Sequence, residues 1–126
     1  MNKTFKEGQD WTHKVIVFPP NVATVYCANF ITGYVNIDFI YVPGSLMTIS
    51  GSKMFGRAPK ILILDFPPRF SPSLVWNGTQ STLTIYVPDS YLNDWKMNAN
   101  WSSQANNIHP LSEYTGVRYW EPHSSL

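Results

Sequence analysis

The sequence predicts a mainly β protein with short helices, built as a short solenoid of about three stacked rungs and closed by a small C-terminal helical cap. Four apolar runs end at prolines that recur at a nearly constant spacing: Pro19, Pro43, Pro67 and Pro88. Self-similarity of this period is typical of repeat architectures, in which each unit buries its apolar face against a neighbour. Ten prolines among 126 residues also favour strands and turns over long helices.

The residues one and three positions before each proline are all apolar. They are Ile16, Phe18, Ile40, Val42, Leu64, Phe66, Ile85 and Val87. This alternation predicts short, mainly parallel strands that bury these residues on one face, and a proline then ends each strand because it has no N–H to donate. Further apolar positions recur between the strands and predict additional core residues: Val22, Phe30, Leu46, Phe55, Phe70 and Trp76.

The segment VPGSLMTISGSKMFGRAPKILIL, residues 42–64, resembles one repeat of the BspA-like leucine-rich repeats. FPPNVATVYCANF at 18–30, leading to IDFIYVP at 37–43, resembles another repeat, and a third at 66–88 is about three residues shorter. The stretches TIYVPDSYLNDWK and NWSSQANNIHPLSEY are similar to the terminal cap of such arrays, which also ends many bacteriophage structural proteins. The resemblance covers about residues 14–114 and implies a leucine-rich-repeat-like solenoid.

This reading divides the chain into an N-terminal arm (1–13), rungs (14–88), a C-terminal cap (89–112) and an extended tail (113–126). We expect Asp89 to be the N-cap of a first cap helix, and a second helix to end before Pro110, because a residue preceding proline avoids the helical region. Six residues at helical spacing should seal the end of the stack: Tyr91, Leu92, Trp95, Trp101, Ala105 and Ile108.

Composition and motifs argue against several classes of function. Charged residues make up 13% of the chain and the net charge is +1, so we expect neither a nucleic-acid partner nor membrane insertion. The N-terminus lacks the apolar region of a secretory signal, so we do not expect export by that route. The three histidines have no Cys or carboxylate at metal-ligand spacing, and glycines and serines form no phosphate-binding or nucleophile motif. We therefore expect no catalytic residues, no cofactor and no metal.

The opposite face of the strands carries the residues two and four positions before each proline. Six of these eight residues are apolar or aromatic, namely Val15, Val17, Phe39, Tyr41, Ile63 and Tyr86. The other two are Asp65 and Thr84. An apolar face of this size needs a cover or a partner. The sequence leaves three candidates for this cover. They are the N-terminal segment with Phe5 and Trp11, the tail with Tyr114, Tyr119 and Trp120, or another protein chain.

The tail has three aromatic residues and no clear periodicity, so it is either an arm that docks on a neighbour or a frayed terminus. The candidate partner-binding residues are Phe39, Tyr41, Ile63 and Tyr86 on the sheet, and Tyr119 and Trp120 on the tail. Two functions follow. The first is a non-enzymatic structural component of a bacteriophage particle, an accessory capsid, tail or fibre protein held in the virion by other structural proteins, with a host-surface receptor as a further candidate partner. The alternative is a leucine-rich-repeat binding module on the bacterial cell surface that recognises a protein or glycan.

Overall fold

The computed structural model describes residues 15–28, 38–52, 59–70 and 83–121. Within these ranges it contains seven β-strands: β1 (Val15–Val17), β2 (Thr24–Ala28), β3 (Phe39–Val42), β4 (Thr48–Ser52), β5 (Ile61–Leu64), β6 (Thr84–Val87) and β7 (Ile108–Pro110). The helical segments are short: a 3-10 helix at Asp89–Tyr91, the α-helix α1 at Leu92–Met97, and 3-10 helices at Ser102–Asn107 and Leu111–Glu113.

Five of these strands form one parallel sheet in the order β1-β3-β5-β6-β7, and β2 and β4 form a two-stranded parallel sheet. In the larger sheet Val17 pairs with Tyr41, Tyr41 with Ile63, and Ile63 with Tyr86. Parallel neighbours need a long connection between them, and here β2 lies in the connection from β1 to β3, and β4 in that from β3 to β5. The prediction of short parallel strands is confirmed for these segments.

The predicted fold class, a mainly β, leucine-rich-repeat-like solenoid of about three rungs with a helical cap, is wrong. The chain is a small α/β domain with a five-stranded parallel sheet and few helices. The helical segment 89–107 does not close a stack, because it connects β6 to β7, which pair in parallel with Ile85 opposite Ile108. It is the crossover connection of a βαβ unit. The sequence pattern did not reveal β7 because this strand has three residues and ends in Pro110.

The main core lies on the inner face of the larger sheet. All eight residues predicted from the alternation are buried in this one cluster, which confirms that prediction. Val22 and Leu46 are also fully buried in this cluster, and Phe70 packs against the cluster from a partly exposed position. The N–H of Val22 donates to the carbonyl of Pro19, and that of Leu46 to Pro43. The two prolines therefore begin similar turns that return an apolar residue to the core.

Strand β5 is displaced by two residues relative to the proline that follows it. Val42, which directly precedes Pro43, pairs with Leu64, which lies three residues before Pro67. A displacement by an even number keeps each side chain on its face of the sheet, whereas a displacement by one would turn every side chain over. Leu64 and Phe66 accordingly stay buried even though the spacing of the prolines does not give the register.

Two tryptophans fix the crossover segment to the core. The indole N–H of Trp95 donates to the carbonyl of Phe66 at 2.8 Å, and that of Trp101 donates to Phe70 at 2.9 Å. Their rings meet edge to face at 5.1 Å, and both side chains are fully buried. Of the six residues expected to seal the end, Trp95, Trp101 and Ile108 are buried, whereas Tyr91 is exposed.

Asp89 does not cap the helix that follows it, so the N-cap prediction is wrong. Pro88 occupies the N-cap position, and no side chain accepts a hydrogen bond there. Asp89 Oδ1 instead accepts the backbone N–H of Ser112 at 3.0 Å. The hydrogen bonds from Ser112 hold the pKa of the Asp89 carboxyl below its ordinary value. Asp89 thus joins the start of the crossover to the 3-10 helix that follows β7.

Several predictions fall on residues outside the described ranges. These are the N-terminal arm with Phe5 and Trp11, the core positions Phe30, Phe55 and Trp76, the histidines His13 and His123, and the last five residues of the tail. Within the described ranges, no helix combines the length and apolar character needed to cross a membrane.

Candidate protein-binding surface

The side of the larger sheet that faces away from the main core is called the outer face here. Its residues are Val15, Val17, Phe39, Tyr41, Ile61, Ile63 and Tyr86. Side chains alternate between the two faces of a strand, so the residues that follow and precede the buried inner positions point to this side. The register aligns Val17, Tyr41, Ile63 and Tyr86 in one row across four strands. The outer face is therefore a continuous apolar and aromatic surface.

The C-terminal segment Tyr114–Glu121, called the aromatic tail here, lies on this face. Trp120 stacks on Tyr41 with ring centroids 4.9 Å apart and 4° between the planes, and on Phe39 at 5.9 Å and 9°. Tyr119 meets Phe39 edge to face at 5.0 Å. Tyr114 meets Tyr86 edge to face at 5.1 Å. The outer face and the aromatic tail together make a second buried cluster.

Contacts between residues close in sequence fold the aromatic tail into a compact turn. The phenol of Tyr114 donates to the carbonyl of Val117 at 2.8 Å. The guanidinium of Arg118 lies 5.6 Å from the ring centroid of Trp120 and 6.0 Å from that of Tyr114. Arg118 Nη1 also lies 3.8 Å from a carboxylate oxygen of Glu121. The cation thus lies near two aromatic rings and one carboxylate, at a half-buried position where each contact is individually weak.

Gly116 permits this shape. A Cβ at this position would lie 2.7 Å from Cζ of Tyr114, a distance at which one of the two groups must move. The backbone therefore passes directly over the Tyr114 ring, which only a residue without a side chain allows. The flanking residues Thr115 and Val117 are exposed.

One polar contact anchors the outer face. The phenol of Tyr41 donates to Oδ2 of Asp65 at 2.6 Å, the short distance expected for a hydrogen bond to a carboxylate. Burial, and then this hydrogen bond, raise the pKa of Tyr41 well above its ordinary value of 10.0. Tyr41 is therefore a neutral donor whose ring is fixed in orientation under Trp120.

The chemical character of the surface is that of a binding site for aromatic groups. Among the described residues, no polar or charged residue is buried, and no group of three or more His, Cys, Asp or Glu lies close enough to hold a metal ion. Charged groups adjoin this surface: Asp65 accepts from Tyr41, Arg118 pairs with Glu121 in the tail, and Glu113 lies 3.8 Å from His109, whose ring is 6.0 Å from that of Tyr86. The arrangement offers apolar contact area, ring stacking and a few orienting hydrogen bonds.

The structure brings together all six residues predicted to bind a partner. Phe39, Tyr41 and Ile63 are buried in the outer-face cluster, and Tyr86 and Trp120 pack at its edges. Tyr119 is 44% exposed while its ring edge touches Phe39. Of the three covers left open by the sequence, the tail lies on this face, whereas the N-terminal segment with Phe5 and Trp11 falls outside the described residues. The sheet residues predicted to bind a partner are thus covered by the same chain.

Two members of the cluster, and one cation beside it, were not predicted. Ile61 joins the outer face because β5 is displaced by two residues, which the spacing of the prolines does not indicate. Leu111 packs at the edge of the cluster from the 3-10 helix after β7. Arg118 contacts two rings of the tail, and its position between aromatic residues in the sequence was a usable signal.

No protein-family model matches this chain, and no curated protein or solved structure matches it either.

Proposed function

We propose that this protein is a non-enzymatic structural component of a bacteriophage particle, an accessory capsid, tail or fibre protein that acts through protein–protein contacts. The observation that carries the proposal is the outer face with its aromatic tail. Seven rings or aliphatic side chains form one surface, and the segment that covers it presents Val117 and Tyr119 to solvent at 57% and 44% exposure. Tyrosine is enriched among the residues that anchor protein interfaces, so an exposed tyrosine ring beside a continuous apolar face supports a contact there.

Two further features support a structural role. The resemblance of residues 84–114 to the ending of many bacteriophage structural proteins favours a particle over a free enzyme. The described surface also carries few charges near the outer face, as is typical of the centre of a protein interface, where charged residues are depleted. The partners are then other structural proteins of the same particle, in a multimeric assembly.

The test is the presence of the protein in purified particles. Mass spectrometry of virions purified by two successive density gradients should detect the chain at a fixed copy number relative to the major capsid protein. A sub-stoichiometric amount that falls with each purification step would contradict the proposal. Recovery of the chain in the bacterial surface fraction would favour the alternative, a cell-surface binding module.

Two variants test whether incorporation into particles depends on the aromatic tail. Tyr119→Ser changes an exposed ring of the tail, and Met97→Ser changes an 80% exposed side chain on α1, away from the outer face. We expect Tyr119→Ser to lower incorporation into particles and Met97→Ser to leave it unchanged, with both proteins folded by circular dichroism. Equal incorporation of the two variants would show that this surface is not the contact.

A further inference from the structure

The contacts between the aromatic tail and the outer face are made by side chains. In the described part of the tail, the backbone hydrogen bonds are local: Tyr114 donates to Leu111, and Glu121 donates to Arg118. Trp120 and Tyr119 reach the sheet through their rings alone. Moving the tail away therefore separates stacked rings without disrupting the strand pairing of the sheet.

The segment Val117–Glu121 keeps its own shape through contacts within the tail. Arg118 pairs with Glu121 and lies over the ring of Trp120. The hinge before it, Thr115 and Gly116, is exposed. A segment with internal contacts, an exposed hinge and a binding surface on its own chain meets the requirements for exchange between identical copies.

We propose that Val117–Glu121 of one copy occupies the outer face of a second copy when copies are brought together in an assembly, so that reciprocal tail exchange joins them. The contacts of Tyr119 and Trp120 with Phe39 and Tyr41 have the same partners in the exchanged state, because a second copy presents the same residues. The contacts of Val117 and Arg118 with Tyr114, which cross the hinge, are then made with Tyr114 of the second copy. The exchange is isologous and closes on itself as a pair. This inference rests on the proposed structural role and names the partner at the same surface.

Concentration decides which arrangement forms. A hinge of two residues gives the tail an effective concentration at its own face of about millimolar, so a dilute chain covers itself. Copies held side by side in an assembly reach comparable local concentrations, so the outer face of a neighbour then competes with the chain's own face for the tail. Val117 and Tyr119, which are exposed in the single chain, would be further buried by the second copy in the exchanged arrangement.

The experiment uses two variants of the whole chain in which its single cysteine, Cys27, is replaced by serine (Cys27→Ser). One chain carries Tyr41→Cys and the other carries Trp120→Cys, at two positions whose rings are 4.9 Å apart within one chain. The variants are mixed with a short bifunctional thiol crosslinker, which tolerates a wider separation than a disulfide does, and covalent heterodimers are quantified over a range of concentrations up to about millimolar. The matched control pairs Tyr41→Cys with Met97→Cys, whose side chain is 80% exposed.

We expect the Trp120 pair to give at least about ten times more heterodimer than the Met97 pair, with a yield that rises with concentration as exchange overtakes self-coverage. Equal yields for the two pairs at every concentration would overturn the proposal.

A second measurement does not depend on the cysteine variants. Deletion of Thr115 and Gly116 shortens the hinge and should shift sedimentation equilibrium towards dimer, whereas insertion of about six Gly and Ser residues after Gly116 should shift it towards monomer, because linker length sets the local concentration of the tail. If the deletion and insertion variants had the same monomer–dimer equilibrium, tail exchange would be overturned.

The two proposals fail separately. A chain that exchanges tails in solution but is absent from virions would overturn the particle role alone. A chain present in virions at a fixed copy number, whose cysteine pairs never link between copies, would overturn tail exchange alone.

Discussion

Trp120 stacks on Tyr41 with nearly parallel rings, and the Tyr41 phenol beneath it donates a 2.6 Å hydrogen bond to Asp65. A residue near the C-terminus of the described chain thus covers a strand residue 79 positions earlier, at a site fixed by one polar contact. The hydrogen bond orients the ring, and the oriented ring receives the indole. The outer face and its cover are therefore energetically linked through Tyr41.

The first prediction concerns alkaline pH. Burial, followed by the hydrogen bond to Asp65, raises the pKa of Tyr41 above 10.0 in the folded chain. Folding therefore favours the neutral phenol, and this contribution to stability is complete below about pH 10 and is lost as the pH rises towards the folded pKa. Urea denaturation from about pH 9 to 12 should show a steeper fall for the wild type than for Tyr41→Phe, by up to about 1.4 kcal/mol per pH unit.

Tyr91→Phe, at an exposed position on the crossover, is the matched control for this titration. We expect its stability to fall with pH as steeply as that of the wild type. A Tyr41→Phe profile parallel to both would mean that the Tyr41 phenol is not held neutral by the fold.

The second prediction concerns acid pH. The hydrogen bonds from Ser112 lower the pKa of the Asp89 carboxyl from 3.8. The ionised form is favoured by folding, so its contribution is present above pH 3.8 and is lost as the pH falls through the folded pKa. Asp89→Asn should therefore make stability less dependent on pH below that value. Asp94→Asn, on an exposed position of α1, serves as the control, and an identical slope for both variants would exclude the role given to Asp89.

The sequence identified the inner face of the sheet correctly because one physical signal controls it. Alternating apolar residues before a proline indicate a buried strand face, and each residue chosen on that basis is buried. The same signal misplaced β5 by two residues, because Phe66 and Pro67 continue the apolar run after the strand has ended. The alternation of apolar residues predicts which face of a strand is buried, whereas the register of β5 is fixed by its pairing with β3.

The predicted fold class failed at the end of the crossover segment, where the helical spacing of apolar residues continues into a strand. Ile108 satisfied the helical spacing from Trp101 and Ala105, yet it begins β7. A strand of three residues has no periodicity to detect, and its place is set by pairing with β6. The six candidate binding residues could be named from their apolar character on an exposed face, but the stacking of Trp120 on Tyr41 depends on how the chain returns after β7.

The third prediction concerns the crossover. Trp95→Phe removes the N–H that donates to the Phe66 carbonyl and leaves a smaller ring at a fully buried position. We expect a loss of about 2 to 3 kcal/mol in the free energy of unfolding, from an unpaired carbonyl and reduced packing. Met97→Ala on the same helix, 80% exposed, should change stability by less than about 0.5 kcal/mol. A loss below about 1 kcal/mol for Trp95→Phe would contradict its placement in the core.

The fourth prediction concerns the hinge. Gly116→Ala places a methyl group against the ring of Tyr114, so either the ring or the backbone must shift and the tail should lift from the outer face. Trypsin cleavage after Arg118 should become about tenfold faster, since overpacking of this kind weakens local structure by about 1 to 3 kcal/mol. Thr115→Ala, next to it and exposed, should be cleaved at the wild-type rate. Equal rates for the two variants would mean that Gly116 does not hold the tail.

The most direct test of the account is a double-mutant cycle between Tyr41 and Trp120, measured by urea denaturation at low protein concentration. The single variants Tyr41→Leu and Trp120→Leu and the double variant remove the stacked pair from each side. Direct stacking predicts a coupling energy of about 0.5 to 1.5 kcal/mol, whereas a cycle between Trp120 and the distant Met97 should give none. A coupling of zero between Tyr41 and Trp120 would contradict the covering of the outer face by the aromatic tail.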